Sequence, residues 1–360
     1  MAPDHLTAQG LPDSIRWSVH LDAAPIGAPV VAGSSVVLPL TTESIAAHRL
    51  SDGEPLWIVP LPAEQSLAGD SARVYVASGD AIHALDAATG AVAWRSPAGE
   101  PLTAPPLAHA GWVIGAAAGD VLAIRASDGA VVWRKHVGPV EFRPTLDGDL
   151  LVVSVTDGRV VALDLPTGEV RWEAPLGSAP VEPFVIGGRV YVGAEDKKLF
   201  TLDASSGRIL SRWLVGALPR GRAAVDDRHV YFTAMDNVLW AIDRGDGAIE
   251  WRKGLEYRPA AGPVLVGSAV VVPGDVKSLP AFNAQTGKQA GEVGFPELLS
   301  TVPLFIQGPD ETPLVLGITG SLANKWMMTM MGPSPSRGLK LEPLTALPGA
   351  VVPVSLPQAR

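Results

Sequence analysis

Residues 84–94 read Ala84-Leu85-Asp86-Ala87-Ala88-Thr89-Gly90-Ala91-Val92-Ala93-Trp94: a small residue, an acid two positions on, a Thr-Gly turn, and a Trp four past the glycine. The frame returns around Gly53, Gly129, Gly168, Gly207, Gly247 and Gly287, at intervals of 37 to 40 residues. Self-similarity at that period means that each unit must stack on its neighbours to bury its apolar face. The columns keep their chemistry. Ala47, Ala84, Ala123, Ala162, Thr201, Ala241 and Ala281, all small, stand six residues before the glycines. Arg49, Asp86, Arg125, Asp164, Asp203, Asp243 and Asn283 stand four before. The acceptors among them can bind turn amides and pin a hairpin. Trp57, Trp94, Trp133, Trp172 and Trp251 follow at four; Trp213 comes two residues late, and Gly291 takes the seventh place.

One repeat shows what the unit is. Trp112 to Gly115 is an apolar run, Gly119-Asp120 a hairpin signal, Val121 to Ile124 a second run, and Asp128-Gly129 a turn into Ala130 to Trp133. Short apolar runs bounded by Gly and Asp turns are strands of a meander. With the apolar lead-in from Pro105, the unit holds four strands in about 40 residues, which is a propeller blade. Trp17 lies 40 residues before Trp57 without a turn glycine ahead of it. Arg16 to Val19 therefore predicts the outer strand of a blade completed by C-terminal strands near 303–306, 313–318 and 322–331. That closure removes the open edges of the ring. The expectation is an all-β, eight-bladed propeller over 16–331, with tails at 1–15 and 332–360; seven blades is the fallback. The run Trp326-Met327-Met328-Thr329-Met330-Met331 is expected to be the buried strand of the last blade.

The bulk numbers exclude several functions. A net charge of −9 over 360 residues argues against binding to nucleic acid, whose phosphates need a basic surface. The absence of Cys excludes disulfides, thiolate metal sites and a Cys nucleophile. No run of about 18 apolar residues predicts a membrane-spanning helix. Met1 to His5 has neither a basic nor an apolar leader region. The expected location is thus cytoplasmic for the chain as it stands, and periplasmic or otherwise extracytoplasmic if a leader once preceded it.

The repeated small-x-Asp-x-x-Thr-Gly-x-x-x-Trp, clearest at Ala84 to Trp94 and Ala162 to Trp172, resembles the tryptophan-docking repeat of pyrroloquinoline-quinone-type propellers. The resemblance covers residues 17 to about 331. It implies that Trp17, Trp57, Trp94, Trp133, Trp172, Trp213 and Trp251 dock between blades and are structural. The family has two branches, the quinone-dependent dehydrogenases and non-enzymatic eight-bladed propellers such as the BamB-type outer-membrane assembly lipoproteins. At about 320 residues of bare propeller, this chain is similar in build to the second.

The dehydrogenase branch implies an adjacent Cys-Cys disulfide over the quinone and a calcium-type ion among clustered oxygens. This chain has no Cys, and its repeated aspartates fall one per blade, so neither pyrroloquinoline quinone nor Ca²⁺ is expected as a cofactor. The seven histidines show no ligand spacing, and no metal site is expected. No phosphate loop or nucleophile motif appears.

One feature differs among the repeats. The segments leading into the innermost strands should open onto the central channel, and most are bland, as in Ile26-Gly27-Ala28-Pro29. Consecutive blades instead carry Glu141-Phe142-Arg143-Pro144, Val181-Glu182-Pro183, Arg220-Gly221-Arg222 and Tyr257-Arg258. Glu141, Arg143, Glu182, Arg220, Arg222 and Arg258 are the candidate binding residues at the funnel mouth, with Arg143 and Arg222 as fork donors. Two readings are solvated loop charges and a polar patch for a partner peptide or an anion. The expected function is a monomeric, non-enzymatic scaffold for other proteins, which the resemblance implies are envelope or outer-membrane assembly components. The alternatives are a quinone-dependent dehydrogenase and a small-ligand sensor.

Overall fold

Eight four-stranded antiparallel sheets form a ring in the computed structural model, which describes residues 11–308, 312–320 and 325–333. No helix occurs among the described residues. Seven blades are continuous meanders in which strand order follows the sequence. In the third blade the order outward from the axis is Leu107–His109, Trp112–Ala117, Asp120–Arg125 and Val131–His136. Second strands such as Ser35–Leu40 and Leu150–Val155 are buried along their full length, because a blade sits against each of their faces. Outer strands such as Val92–Pro97 alternate buried with exposed, the pattern of a strand with one face in water.

The eighth blade is composite. Leu304–Gln307, Pro313–Gly320 and Trp326–Gly332 are joined on the outside by Ser14–Leu21. Trp17 stands opposite Met330, and Ser18 opposite Thr329, whose hydroxyls share a hydrogen bond at 2.9 Å. Met328, Met330 and Met331 are buried, so the methionine run is core. Eight blades, rather than seven, close the ring. The tails outside 11–333 and the stretch 321–324 lie outside the described residues.

The core is divided into wedges, one cluster of apolar side chains at each of the eight blade interfaces. The repeated tryptophans lock them. The rings of Trp17, Trp57, Trp94, Trp133, Trp172 and Trp251 lie on Gly53, Gly90, Gly129, Gly168, Gly207 and Gly287 of the next blade, where an added Cβ would come within 2.5 to 2.7 Å of the ring. Their Nε1 atoms donate to the carbonyls of Leu50, Ala87, Ala126, Leu165, Ala204 and Ala284 at 2.6 to 3.1 Å. Each of those carbonyls belongs to the residue three before the glycine.

The two irregular copies have local solutions. In the fifth blade Ser211 occupies the Trp position opposite Thr201, and Trp213 lies one pleat further along. The carbonyl that a Trp would bind is that of Arg244, and Arg189 Nη1 binds it instead. In the seventh blade Gly291 leaves the place open, and Leu11 packs there, its Cδ1 2.6 Å from where a Cβ would stand.

Candidate functional site

In such a meander, the turns at 110–111 and 126–130 fall on one face of the ring. The turns between second and third strands, and the lead-ins to the innermost strands, fall on the opposite face. The lead-ins are tied to the second strands by isolated bridges such as Leu102 to Ala117 and Pro180 to Ala194. They are therefore fixed walls of the channel mouth.

Three of the six candidate residues meet there. Arg143, of the fourth blade, reaches to the second, where its Nη2 donates to the Leu67 carbonyl at 3.1 Å. Arg222, of the sixth, reaches back to the fourth, where its Nη2 approaches Thr145 Oγ1 at 3.4 Å. Glu182, of the fifth, stands between them, with Oε1 at 4.0 Å from Arg222 Nε. The Arg222 guanidinium lies over the Phe184 ring, 4.9 Å from its centroid. The side chains of Arg222 and Glu182 keep 36% and 26% of their surface open, so they face the channel rather than a sealed interior.

Partial burial still acts on the charges. Burial pulls both guanidiniums below their ordinary range, against the pull of Glu182. Burial also pushes the Glu182 carboxyl up, against Arg222 and Arg143. Arg143 Nε is buried without a hydrogen-bond partner. Arg143 and Glu182 line a cavity of about 340 Å³ together with Glu141, whose side chain is exposed.

The other two candidates stand apart. Arg220 Nη1 and Arg258 Nη2 both point to Met235 Sδ, at 3.5 and 3.9 Å, on the exposed rim. The backbone explains how neighbouring arginines diverge. Pairing runs from Pro219 and Arg220 to Ala224 and Val225 with a register shift between, so Arg222 bulges from the strand. Gly221 has a φ of +68°, and a Cβ on it would overlap the backbone of Gly262. The Arg-Gly-Arg spelling is thus a tight crossing of two lead-ins. Phe184, Thr145 and the Leu67 carbonyl were not readable as partners, because each belongs to another blade.

Among the described residues no three His, Cys, Asp or Glu side chains come together as a metal-ion site.

The repeats match the family model of the outer membrane protein assembly factor BamB over residues 41–182 and 177–297. The chain belongs to that family. No curated protein matches it. Among solved structures, BamB from Moraxella catarrhalis is similar at 21% identity, with 91% of this chain and 99% of that one covered and a TM-score of 0.69. The quinohemoprotein alcohol dehydrogenase from Comamonas testosteroni is similar at 16% identity over 93% of this chain and 79% of that one, TM-score 0.70. Sqt1 from Saccharomyces cerevisiae is similar at 12% identity over 90% and 100%, TM-score 0.74. At these identities the likenesses establish the fold. Within the BamB family propeller described here, the docking tryptophans are accounted for by packing and hydrogen bonds between blades.

Proposed function

We propose that this BamB-family propeller is a monomeric, non-enzymatic scaffold, working without a cofactor, that binds other proteins in the bacterial cell envelope. The observation that carries the reading is that the residues of the repeat motif are consumed in building the ring. The tryptophans bind neighbouring blades, and the turn aspartates bind their own turn amides. What differs between blades is what they display: lead-in loops at the channel mouth and exposed outer-strand residues such as Leu214, Ile58 and Ile249. A stiff ring carrying variable loops suits binding. The likeness to Moraxella catarrhalis BamB along almost the whole of both chains supports an extracytoplasmic place and outer-membrane assembly components as partners.

Photo-crosslinkers placed at Leu214 and Arg258, in the native bacterium, should capture envelope proteins, while one at Asp203 on the opposite face should not. Capture of none at any position would overturn the scaffold reading. A quinone-dependent dehydrogenase is the second reading, favoured by the shared fold of the Comamonas enzyme. Titration of the purified chain with pyrroloquinoline quinone and Ca²⁺ in a calorimeter separates the two. No saturable heat is expected; one-to-one binding at micromolar affinity or tighter would favour the enzyme.

A further inference from the structure

Two arginines converge on one sulfur at the rim of the channel mouth. Arg220 Nη1 lies 3.5 Å from Met235 Sδ, and Arg258 Nη2 lies 3.9 Å from it. Neither guanidinium forms an ion pair among the described residues, so what stands at their meeting point is a neutral, weak acceptor. The backbone fixes the arrangement. Met235 opens the turn between second and third strands of the sixth blade, and its N–H donates to the Leu218 carbonyl at 2.9 Å. Arg220 stands opposite Thr233 in the same sheet, and the Thr233 hydroxyl donates to the Arg220 carbonyl at 3.2 Å. Arg258 arrives from the lead-in of the seventh blade, whose innermost strand is Val264–Val266.

Met235 also differs from the methionines of the eighth blade in its access to water. It is 39% exposed, whereas Met328, Met330 and Met331 are buried and Met327 is half-buried. Peroxide converts an accessible thioether to a sulfoxide. In that step a sulfur lone pair attacks one peroxide oxygen, and the O–O bond breaks. The departing hydroxide takes the proton of the transferred hydroxyl, leaving one new S–O bond and one water. Sulfur gives up two electrons, and the peroxide takes them. The product presents a polar oxygen where the thioether was a weak acceptor, and two cationic donors already face that point.

We propose that Met235 is a peroxide-sensitive modification site whose sulfoxide oxygen is held by Arg220 and Arg258. Oxidation then ties the lead-ins of the sixth and seventh blades to the turn that carries Met235, and it engages two cations that the reduced chain leaves without a counter-charge. A sulfoxide merely in water gains nothing on folding; one held by donors that only the folded ring brings together stabilises the ring. The site stands apart from the scaffold reading, since neither the oxidation nor its effect on the ring needs a partner.

The test is hydrogen peroxide treatment of the purified full chain, read by peptide mass spectrometry and by thermal unfolding. Met235 should gain one oxygen well before Met327 does. The oxidised chain should then unfold about 2 °C above the untreated one, as expected for new charge-assisted hydrogen bonds in a protein of this size. In Met235→Leu the same treatment should leave the midpoint where it was. With Arg220→Gln and Arg258→Gln together, Met235 should still be oxidised but the rise should be lost. Oxidation of Met235 no faster than Met327, a midpoint that does not rise, or an equal rise in Met235→Leu or in the double arginine variant would each overturn the proposal. If the double variant does not fold, Arg258→Gln alone carries the comparison, because that side chain is exposed, and the rise should then shrink.

Discussion

Gly207 shows why a glycine recurs where it does. Its φ of +70° already favours glycine, and a Cβ there would stand 2.5 Å from the Trp172 ring. Gly207→Ala therefore meets both left-handed backbone strain and overpacking, and should lose about 3 kcal/mol of stability in urea unfolding. Gly148 has a φ of +57° with nothing within 4 Å of an added Cβ, so Gly148→Ala should lose only about 1 kcal/mol. Equal losses in the two variants would mean that the ring contact contributes nothing. Arg189 carries a second expectation at this scale. It supplies the donor that Trp213 does not, and Arg189→Leu leaves the Arg244 carbonyl unbonded. About 1–2 kcal/mol should go, read as a lower denaturant midpoint with an unchanged slope.

The turn between third and outer strands is the element that repeats most faithfully. Asp86 Oδ1 accepts from the backbone N–H of Ala88 and Thr89 and from the Thr89 hydroxyl, and Asp164, Asp203, Asp243 and Asn283 make equivalent turns. Two copies exchange the parts: Arg49 and Arg125 sit at the acceptor position and pair with Asp52 and Asp128, which bind the amides of Glu54 and Ala130. Hydrogen bonds from Thr89 to Asp86, from Arg171 and Thr167 to Asp164, and from Ser205 and Ser206 to Asp203 hold these carboxyls below the ordinary value of 3.8. A depressed folded-state value stabilises the fold fully above the unfolded value, and that contribution fades as the pH falls through the folded one. Thermal midpoints measured from pH 7 to pH 3 should thus drop below about pH 4. Changing all three to Asn, as nature has at Asn283, should flatten that limb; an unchanged acid limb would show that these turns do not set it.

At the scale of the molecule, the ring is held by one strand from the other end of the chain. Ser14–Leu21 covers the edge of Trp326–Gly332 and carries Trp17 onto Gly53, so it joins the eighth blade to the first. Removing residues 1–21 should expose that edge and open the wedge between those blades. The expected result is a lower, broader thermal transition and association at micromolar concentration, seen by light scattering. A synthetic peptide of residues 11–22 should restore the sharp transition. A truncated chain that unfolds like the native one would show that closure is not needed for stability.

Most of the fold was legible because the information is local and repeated. A turn glycine, its acceptor and its Trp are within a dozen residues of one another, and seven copies make the period unmistakable. Even the composite blade could be read, since Trp17 kept the 40-residue spacing while lacking its own turn. The channel mouth was legible only in part. The sequence marked which lead-ins carry charge, but a propeller brings residues 76 and 77 apart within hydrogen-bond reach, and that distance depends on how the whole ring closes. Closure decided that Arg143, Glu182 and Arg222 meet while Arg220 and Arg258 turn to Met235. It also brought Arg189 and Leu11 to the two places where the Trp column is irregular. Local spacing determines a blade; only the rotation accumulated over eight of them determines what lies across the channel.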